Sequence, residues 1–272
     1  RRRPTGISRL RGLHQLLYKN RLPDCKRKPA RQSRRLQRPQ VLRPSCARLS
    51  GVTIRTMSPP RIVVALVVVL LPGIMLAPAW QLSGLGAGED DILYYFPART
   101  FLHDTILAGD WPWLNPWVGL GRPFVADPQT AFWYPPTWLF VALPPLWAYP
   151  ASLWLHYSLA LWGMYRLLRD LELGGPAALL GGIAFAFCGF MLAHRAHFTM
   201  QHAAAWTPWV VWRLHRYTLS GTAAGALQAA RGARRLAAAV AVIALQCLAG
   251  HVQIAALTAL GALIFLLSRR AA

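Results

Sequence analysis

Apolar residues in this chain fall into long runs, several of which approach the length of a bilayer crossing. The first run covers residues 61–80, and further runs lie near 149–168, 176–193 and 203–217. A helix needs about twenty predominantly apolar residues to cross the hydrocarbon core of a bilayer. The pattern therefore predicts an all-α polytopic membrane protein.

The last apolar run, residues 236–267, is too long for one crossing. As a single helix it would place the arginines before it and after it on opposite sides of the membrane, which the positive-inside rule disfavours. A break at the sequence AGHVQ, residues 249–253, puts every arginine pair on the cytoplasmic side. We therefore predict six crossings with both ends inside. The last two, at about sixteen residues each, are short enough to require membrane thinning or a re-entrant geometry.

Composition agrees with this class, since 55% of the residues are hydrophobic, 14% are charged and the mean hydropathy is +0.31. The formal charge of +21 is concentrated in residues 1–56, which hold 17 of the 30 lysines and arginines but one of the nine acids. This Arg- and Pro-rich segment predicts a disordered basic tail, or upstream translation before a natural start at Met57. Residues 57–272 form the predicted transmembrane domain. No nucleic-acid partner is expected, because that interpretation rests on the tail alone.

The polar chemistry of the chain lies on the side that this topology places outside the cytoplasm. Six of the nine acids occupy a long first outer loop, residues 81–135, which contains two arginines. Two shorter outer segments follow, at residues 194–202 and around residues 250–253. The histidines on the same side are His103, His194, His197, His202 and His251.

The first outer loop contains a predicted amphipathic helix, residues 97–108. Its apolar residues recur at helical spacing, Pro97 suits the first helical position and Gly109 suits the end. Arg99 and His103 share the opposite face, so we expect the helix to lie flat in the membrane interface with these two residues outward. The Pro-, Gly- and Trp-rich sequence that follows predicts an ordered loop at the membrane surface.

Three consecutive carboxylates, Glu89, Asp90 and Asp91, come directly after the first predicted crossing. They are explained equally well as a solvated acidic cluster or as a general base or metal ligand at the boundary between water and lipid. Partial desolvation and neighbouring negative charge would raise the pKa of one carboxyl group, as acid–base catalysis requires. The spacing alone does not separate these interpretations.

Several short motifs follow one another in this loop and beyond it. They are Asp91 with Tyr95-Phe96-Pro97, GDWPWLNP (109–116), GRPFVADPQ (121–129), YPP (134–136), GGIAFAFCGFMLAHRAHF, AAAWTPWV and AGHVQIA (249–255). Their order resembles that in YfhO-like bacterial membrane proteins, a family of the GT-C superfamily of polyprenyl-phosphate-dependent glycosyltransferases. The resemblance covers roughly residues 61–268. Members of that family are much longer, so the resemblance implies that this chain is an N-terminal fragment without the part that selects the acceptor, and that such a fragment need not be active alone.

The resemblance implies an inverting sugar transfer from a polyprenyl-phosphate donor to an extracytoplasmic acceptor. An acid at the start of the first outer loop acts as general base in such enzymes, and Asp91 is the first candidate and Asp90 the second. A cation must stabilise the lipid phosphate that leaves. The outward arginines Arg99, Arg122 and Arg195 are candidates, and for each of them anchoring to lipid headgroups is an equal alternative.

Four further residues are expected to line the substrate site. Asp127 stands where the family pattern suggests Asn, and Gln129 follows it in the same motif. His251 and Gln253 lie where two predicted crossings meet, a position at which polar groups satisfy the backbone or line a cavity. No metal site is predicted from these residues, although a divalent cation as cofactor is left open.

Other histidines have simpler explanations. His194, His197 and His202 have a spacing that allows metal binding, but hydrogen bonding at a helix end is the commoner use of such residues. His156 lies within a predicted crossing and is expected to be a buried hydrogen-bonding residue. No metal ligand is assigned.

The expected partners are a lipid-linked sugar donor, a glycan, lipid or protein acceptor, and membrane lipids. The expected location is the bacterial inner or plasma membrane, with the active site facing the extracytoplasmic side. The alternative function is that of a non-enzymatic transporter or flippase subunit, or of an assembly scaffold for cell-envelope glycans. It is disfavoured because charged residues are concentrated in one outer loop instead of lining a path through the predicted crossings.

Overall fold

A computed structural model describes residues 59–78, 88–219 and 226–271, and this part of the chain is mostly helical. The predicted basic tail, residues 1–56, lies outside the described residues. The first residues of the predicted outer loop, 81–87, also lie outside them.

The helices follow the predicted apolar runs closely. They are α1 (Arg61–Met75), α2 (Phe96–Leu107), α3 (Leu139–Ala142), α4 (Pro145–Asp170), α5 (Gly175–Ala186), α6 (Gly189–Ala193), α7 (Phe198–Thr218), α8 (Ala226–Leu248) and α9 (Val252–Ala271). Two helical stretches of the described chain, Gly175–Ala193 and Val252–Arg269, are long and apolar enough to cross a membrane. This finding concerns two helical stretches, so the number of six crossings stays a prediction.

Helices α4 and α7 form the centre of the bundle. Helix α4 packs against α1, α5 and α7, while α7 also packs against α8 and α9. One face of α4 is buried along its whole length, from Ala148 to Leu167, because apolar and small residues recur on it at helical spacing. These two helices therefore carry the side chains that hold the bundle together.

Helix α1 contains Pro72, whose ring removes a backbone donor and disturbs the preceding turn. The indole nitrogen of Trp154 on α4 donates a hydrogen bond of 2.8 Å to the carbonyl oxygen of Val69, one turn before the proline. The irregular turn in α1 is thereby joined to the central helix.

The predicted break at AGHVQ is confirmed, since α8 ends at Leu248 and α9 begins at Val252. Gly250 in this turn has a φ of +92°, which favours glycine, and a Cβ there would overlap the carbonyl group of Pro128. The helices themselves, with 23 and 20 residues, are longer than the two apolar crossings predicted here, and the length of the crossings stays a prediction. Helix α8 begins at Ala226, before the apolar run starts at residue 236, and therefore includes Arg231, Arg234 and Arg235.

The described part of the predicted outer loop contains several short elements. A π-helical segment, Asp91–Tyr95, leads into α2, and two short antiparallel strands, β1 (Leu114–Asn115) and β2 (Arg122–Pro123), form a hairpin. Two 3₁₀ turns follow at Pro128–Thr130 and Pro135–Trp138. Apolar side chains of α2 and of the loop form a small core of their own, made of Ala98, Leu102, Phe124 and Phe132.

Gly182 provides a test of the packing between α4 and α5. A Cβ at this position would lie 2.8 Å from the carbonyl oxygen of Leu161, a backbone atom that cannot move aside cheaply. We expect Gly182→Ala to destabilise the protein by about 1–3 kcal/mol through overpacking, measured as a lower melting temperature in detergent micelles.

The matched control is Gly189→Ala, because a Cβ at Gly189 has nothing within 4 Å. It should leave the melting temperature unchanged or raise it slightly through better helix propensity. An equal loss in both variants would show that the close contact between α4 and α5 is not what limits the packing.

Candidate functional site

Asp91 is the most deeply buried acid of the described chain, with 0% of its surface exposed. It begins the π-helical segment, an arrangement that is rare and often found at functional sites. The hydroxyl group of Tyr149, at the start of α4, donates a hydrogen bond to its Oδ1 atom. The Oδ2 atom is buried and has no hydrogen-bond partner among the described residues. One carboxylate oxygen is therefore held in place and the other is unpaired.

The surroundings of Asp91 favour its neutral form. Burial raises the pKa of its carboxyl group to about 8; the charge of Asp90 adds to this rise and that of Arg195 opposes it. A carboxyl group with such a pKa is a much stronger base, once ionised, than an exposed aspartate. The carboxyl group of Asp91 thus has the raised pKa that acid–base catalysis requires.

The second outer segment lies next to this acid. Gly88 is packed so closely on Ala196 that a Cβ at Gly88 would overlap the alanine side chain. His197 lies 3.6 Å from the carboxylate of Asp90, which is 56% exposed. The Nδ1 atoms of His194 and His197 are 3.3 Å apart. Asp90, Asp91, Arg195 and His197 form what is called here the Asp91 site.

The turn between α8 and α9 also reaches this end of the bundle. Gly250 packs against Pro128 of the first outer loop. A Cβ added at Gly250 would also lie 3.3 Å from the methyl carbon of Thr199 on α7. Burial lowers the pKa of His251, and the neighbouring His197 and His194 lower it further. Its Nδ1 atom is buried without a hydrogen-bond partner among the described residues. Gln253, by contrast, is exposed. The three outer segments of the sequence analysis therefore meet, and His251 belongs to their junction.

Arg99 does not lie where the sequence analysis placed it. The prediction that it occupies an outward polar face of α2 is wrong, because Arg99 is 1% exposed and is buried along with Ala98 and Leu102 of the same helix. Its guanidinium group lies 5.4 Å from the ring centre of Phe140 and 5.7 Å from that of Phe198. Aromatic faces can hold a cation in this way, and a helical wheel drawn for α2 alone cannot reveal them.

The buried guanidinium group of Arg99 also binds the outer loop. Its Nη1 atom donates to the carbonyl oxygen of Thr130, whereas Nε and Nη2 have no partner among the described residues. Burial lowers its pKa to about 10. Arg99 thus holds the loop against the bundle in this structure, and solvent does not reach it.

Arg122 and Asp127 form a pair that is separate from Asp91. Arg122 lies 2.9 Å from the Asp127 carboxylate, which also accepts hydrogen bonds from Tyr94 at 3.0 Å and from the backbone N–H of Gln129 at 2.9 Å. The cavity beside them has a volume of about 70 Å³, enough for one or two water molecules but not for a sugar. Asp127 caps a turn, a local role that explains the acid at this position.

His202 does not join His194 and His197. It is buried and stacks on His156, with ring centres 3.5 Å apart and planes inclined by 9°. Within the described ranges, no group of three or more His, Cys, Asp or Glu side chains could hold a metal ion. The metal interpretation of the three histidines therefore has no geometric basis.

His156 is a buried hydrogen-bonding residue, as predicted. Its Nδ1 atom lies 2.6 Å from the carbonyl oxygen of Ser152 and therefore carries the proton, so its Nε2 atom accepts from the Tyr134 hydroxyl at 2.7 Å. The same hydroxyl oxygen accepts a hydrogen bond of 2.6 Å from the indole of Trp206. These bonds form a chain in which each donor has a defined acceptor.

Sequence reasoning missed Tyr149, the side chain that binds Asp91. It lies 58 positions further along the chain, near the start of a predicted crossing, where tyrosine is common as an interface residue. A single sequence carries no signal that pairs two such distant residues. The aromatic character of its surroundings, including a stacked contact with Phe198 at 4.6 Å, follows from the same packing.

Asp91→Asn tests the burial of this carboxyl group. Because the pKa of Asp91 in the folded protein is raised to about 8 from an ordinary value of 3.8, the folded state holds this proton more tightly than the unfolded state. Its contribution to stability is complete below about pH 4 and is lost as the pH rises towards 8. We expect the variant to gain stability relative to the wild type over that range, measured as melting temperature against pH.

Asp110→Asn is the control for this experiment, because Asp110 is an exposed acid of the same loop and its charge is not one of those that shift the pKa of Asp91. Its melting profile should follow the wild type. Parallel wild-type and Asp91→Asn profiles between pH 4 and pH 8 would contradict the burial of an ionisable group at position 91.

Comparisons of the chain with family models, with curated proteins and with solved structures give no match. The chemistry of the site is therefore the basis for assigning a function.

Proposed function

We propose that this chain is a polytopic membrane protein of the GT-C type that transfers a sugar from a polyprenyl-phosphate donor to an extracytoplasmic acceptor. In this proposal α1, α4, the α5–α6 pair, α7, α8 and α9 are the six crossings. The Asp91 site lies at the extracytoplasmic end and the arginine-rich end faces the cytoplasm. The distribution of charge supports this orientation, since cytoplasmic segments carry the excess of arginine.

The observation that carries the proposal is the state of Asp91. Its carboxyl group is buried, has a pKa raised to about 8, is fixed through Oδ1 by Tyr149 and keeps Oδ2 unpaired. A structural carboxylate would normally have both oxygens satisfied. An orphaned oxygen on a basic, oriented carboxylate suits the removal of a proton from an acceptor hydroxyl group.

The proposed step is an inverting substitution. Asp91 takes the hydroxyl proton of the acceptor through Oδ2 while the acceptor oxygen attacks the anomeric carbon. The bond between that carbon and the donor phosphate oxygen breaks, and the lipid phosphate leaves with the bonding electrons. Arg195, whose positive charge lowers the pKa of Asp91, stabilises the negative charge that develops on the phosphate.

The other candidate residues have supporting positions in this scheme. Asp90 and His197 form an exposed rim beside the base. His251 and Gln129 lie where the third outer turn contacts the first outer loop, and Gln253 lies on the exposed side of that turn. Arg122 and Asp127 stabilise the loop hairpin from the side.

The decisive experiment compares three single variants in an assay of sugar transfer from a polyprenyl-phosphate donor by the chain in membranes. Asp91→Asn should lower the rate by about 10²–10⁴-fold, the usual contribution of a general base. Asp110→Asn, an exposed acid of the same loop, should retain the wild-type rate. A large loss in Asp90→Asn together with full activity of Asp91→Asn would move the base to position 90.

The pH dependence gives an independent check. At pH 7 about one tenth of a group with a pKa near 8 is ionised, so the transfer rate of the wild type should rise with pH and level off above about pH 8. A rate that is flat between pH 6 and pH 9 would contradict the assignment of Asp91 as base. Full activity of both the Asp90 and the Asp91 variant would end the proposal in favour of a transporter subunit or scaffold.

A further inference from the structure

We propose that the opposite end of the bundle contains a binding site for the phosphate headgroup of an anionic phospholipid, centred on Trp212. This site is independent of sugar transfer. Helix α4 extends from Tyr149, which binds Asp91, to Arg166, which contacts Trp212. At 1.5 Å per residue these positions are about 26 Å apart along the helix axis.

Three guanidinium groups surround the ring of Trp212, which is 2% exposed. The guanidinium carbons of Arg213, Arg166 and Arg216 lie 4.3, 4.7 and 5.8 Å from the ring centre. Cation–π attraction explains why each can approach the indole. It does not remove the repulsion among three positive charges that lie within 6 Å of one ring centre.

The carboxylate in contact with this cluster is that of Asp170, at the end of α4. Its Oδ2 atom accepts hydrogen bonds from the Trp212 indole at 2.6 Å and from Arg216 at 3.2 Å. Arg216 is thus paired, and among the described residues the carboxylate of Asp170 is the one in contact with any of these three arginines. The Nε atom of Arg213 is buried and has no partner among the described residues. Within the described part of the chain, no carboxylate forms an ion pair with Arg166 or Arg213.

A phosphate diester fits this requirement better than a further carboxylate. Guanidinium groups bind phosphate oxygens through two parallel hydrogen bonds, and arginine accommodates such contacts beside aromatic rings. The cluster lies at the end of helices that expose large apolar side chains; on α9 these include Leu257, Leu260, Leu263, Ile264 and Leu267. The headgroup of an anionic lipid can bind the arginines while its acyl chains contact the exposed apolar side chains. The occupant that we assign is therefore an anionic lipid.

The test measures lipid binding by the whole chain in nanodiscs of phosphatidylcholine with and without phosphatidylglycerol. Phosphatidylglycerol should raise the melting temperature and should be retained in native mass spectra. In the double variant Arg166→Gln with Arg213→Gln its affinity should fall about tenfold, which corresponds to about 1.4 kcal/mol. Arg169→Gln is the control, because Arg169 is an exposed arginine of the same helix that donates to the Leu173 carbonyl oxygen.

Arg213→Lys keeps the charge but removes the two-pronged donor, and it serves if the double variant fails to fold. It should bind phosphatidylglycerol more weakly than the wild type, and unchanged affinity would overturn the site. Equal loss in Arg169→Gln would reduce the effect to general surface charge and also overturn it. Stabilisation by inorganic phosphate in pure phosphatidylcholine discs, without any effect of phosphatidylglycerol, would exclude the lipid as occupant.

Discussion

The hydrogen bond from Tyr149 to Asp91 joins the outer loop to the helical bundle at the point where an ionisable group is most costly to bury. Tyr95, four residues after Asp91, hydrogen-bonds to Thr199 at 3.0 Å, and Gly250 packs on Pro128 of the same loop. Burying the carboxyl group requires that it give up most of its charge at neutral pH. The packing of the three segments therefore favours the neutral form of the Asp91 carboxyl group, whereas the proposed chemistry requires its ionised form.

Much of the fold follows from the alternation of apolar and polar residues. The helices α4, α7 and α9 coincide with apolar runs, and the break at residues 249–251 was predicted from the placement of arginines. These features are local or depend on a simple charge rule, so one sequence is enough to predict them. The gathering of acids and histidines from three segments at one end follows from the same topology.

The errors concern contacts between distant segments. Arg99 was placed outward because its own helix has an apolar stripe elsewhere, but Phe140 and Phe198 supply an aromatic surface that covers it. His202 was grouped with His194 and His197 by spacing, whereas the start of α7 directs it inward onto His156. Neither partner is visible in a pattern along the chain, and Tyr149 was missed for the same reason.

The chain of hydrogen bonds from Trp206 through Tyr134 and His156 to the Ser152 carbonyl has a consequence for proton movement. Every hydrogen in it already points to an acceptor, and the last acceptor is a backbone oxygen that cannot pass a proton onward. To relay protons, a hydroxyl group and an imidazole would both have to turn over within tightly packed surroundings. In this arrangement the chain of hydrogen bonds therefore holds these side chains in place and does not form a path for protons through the bundle.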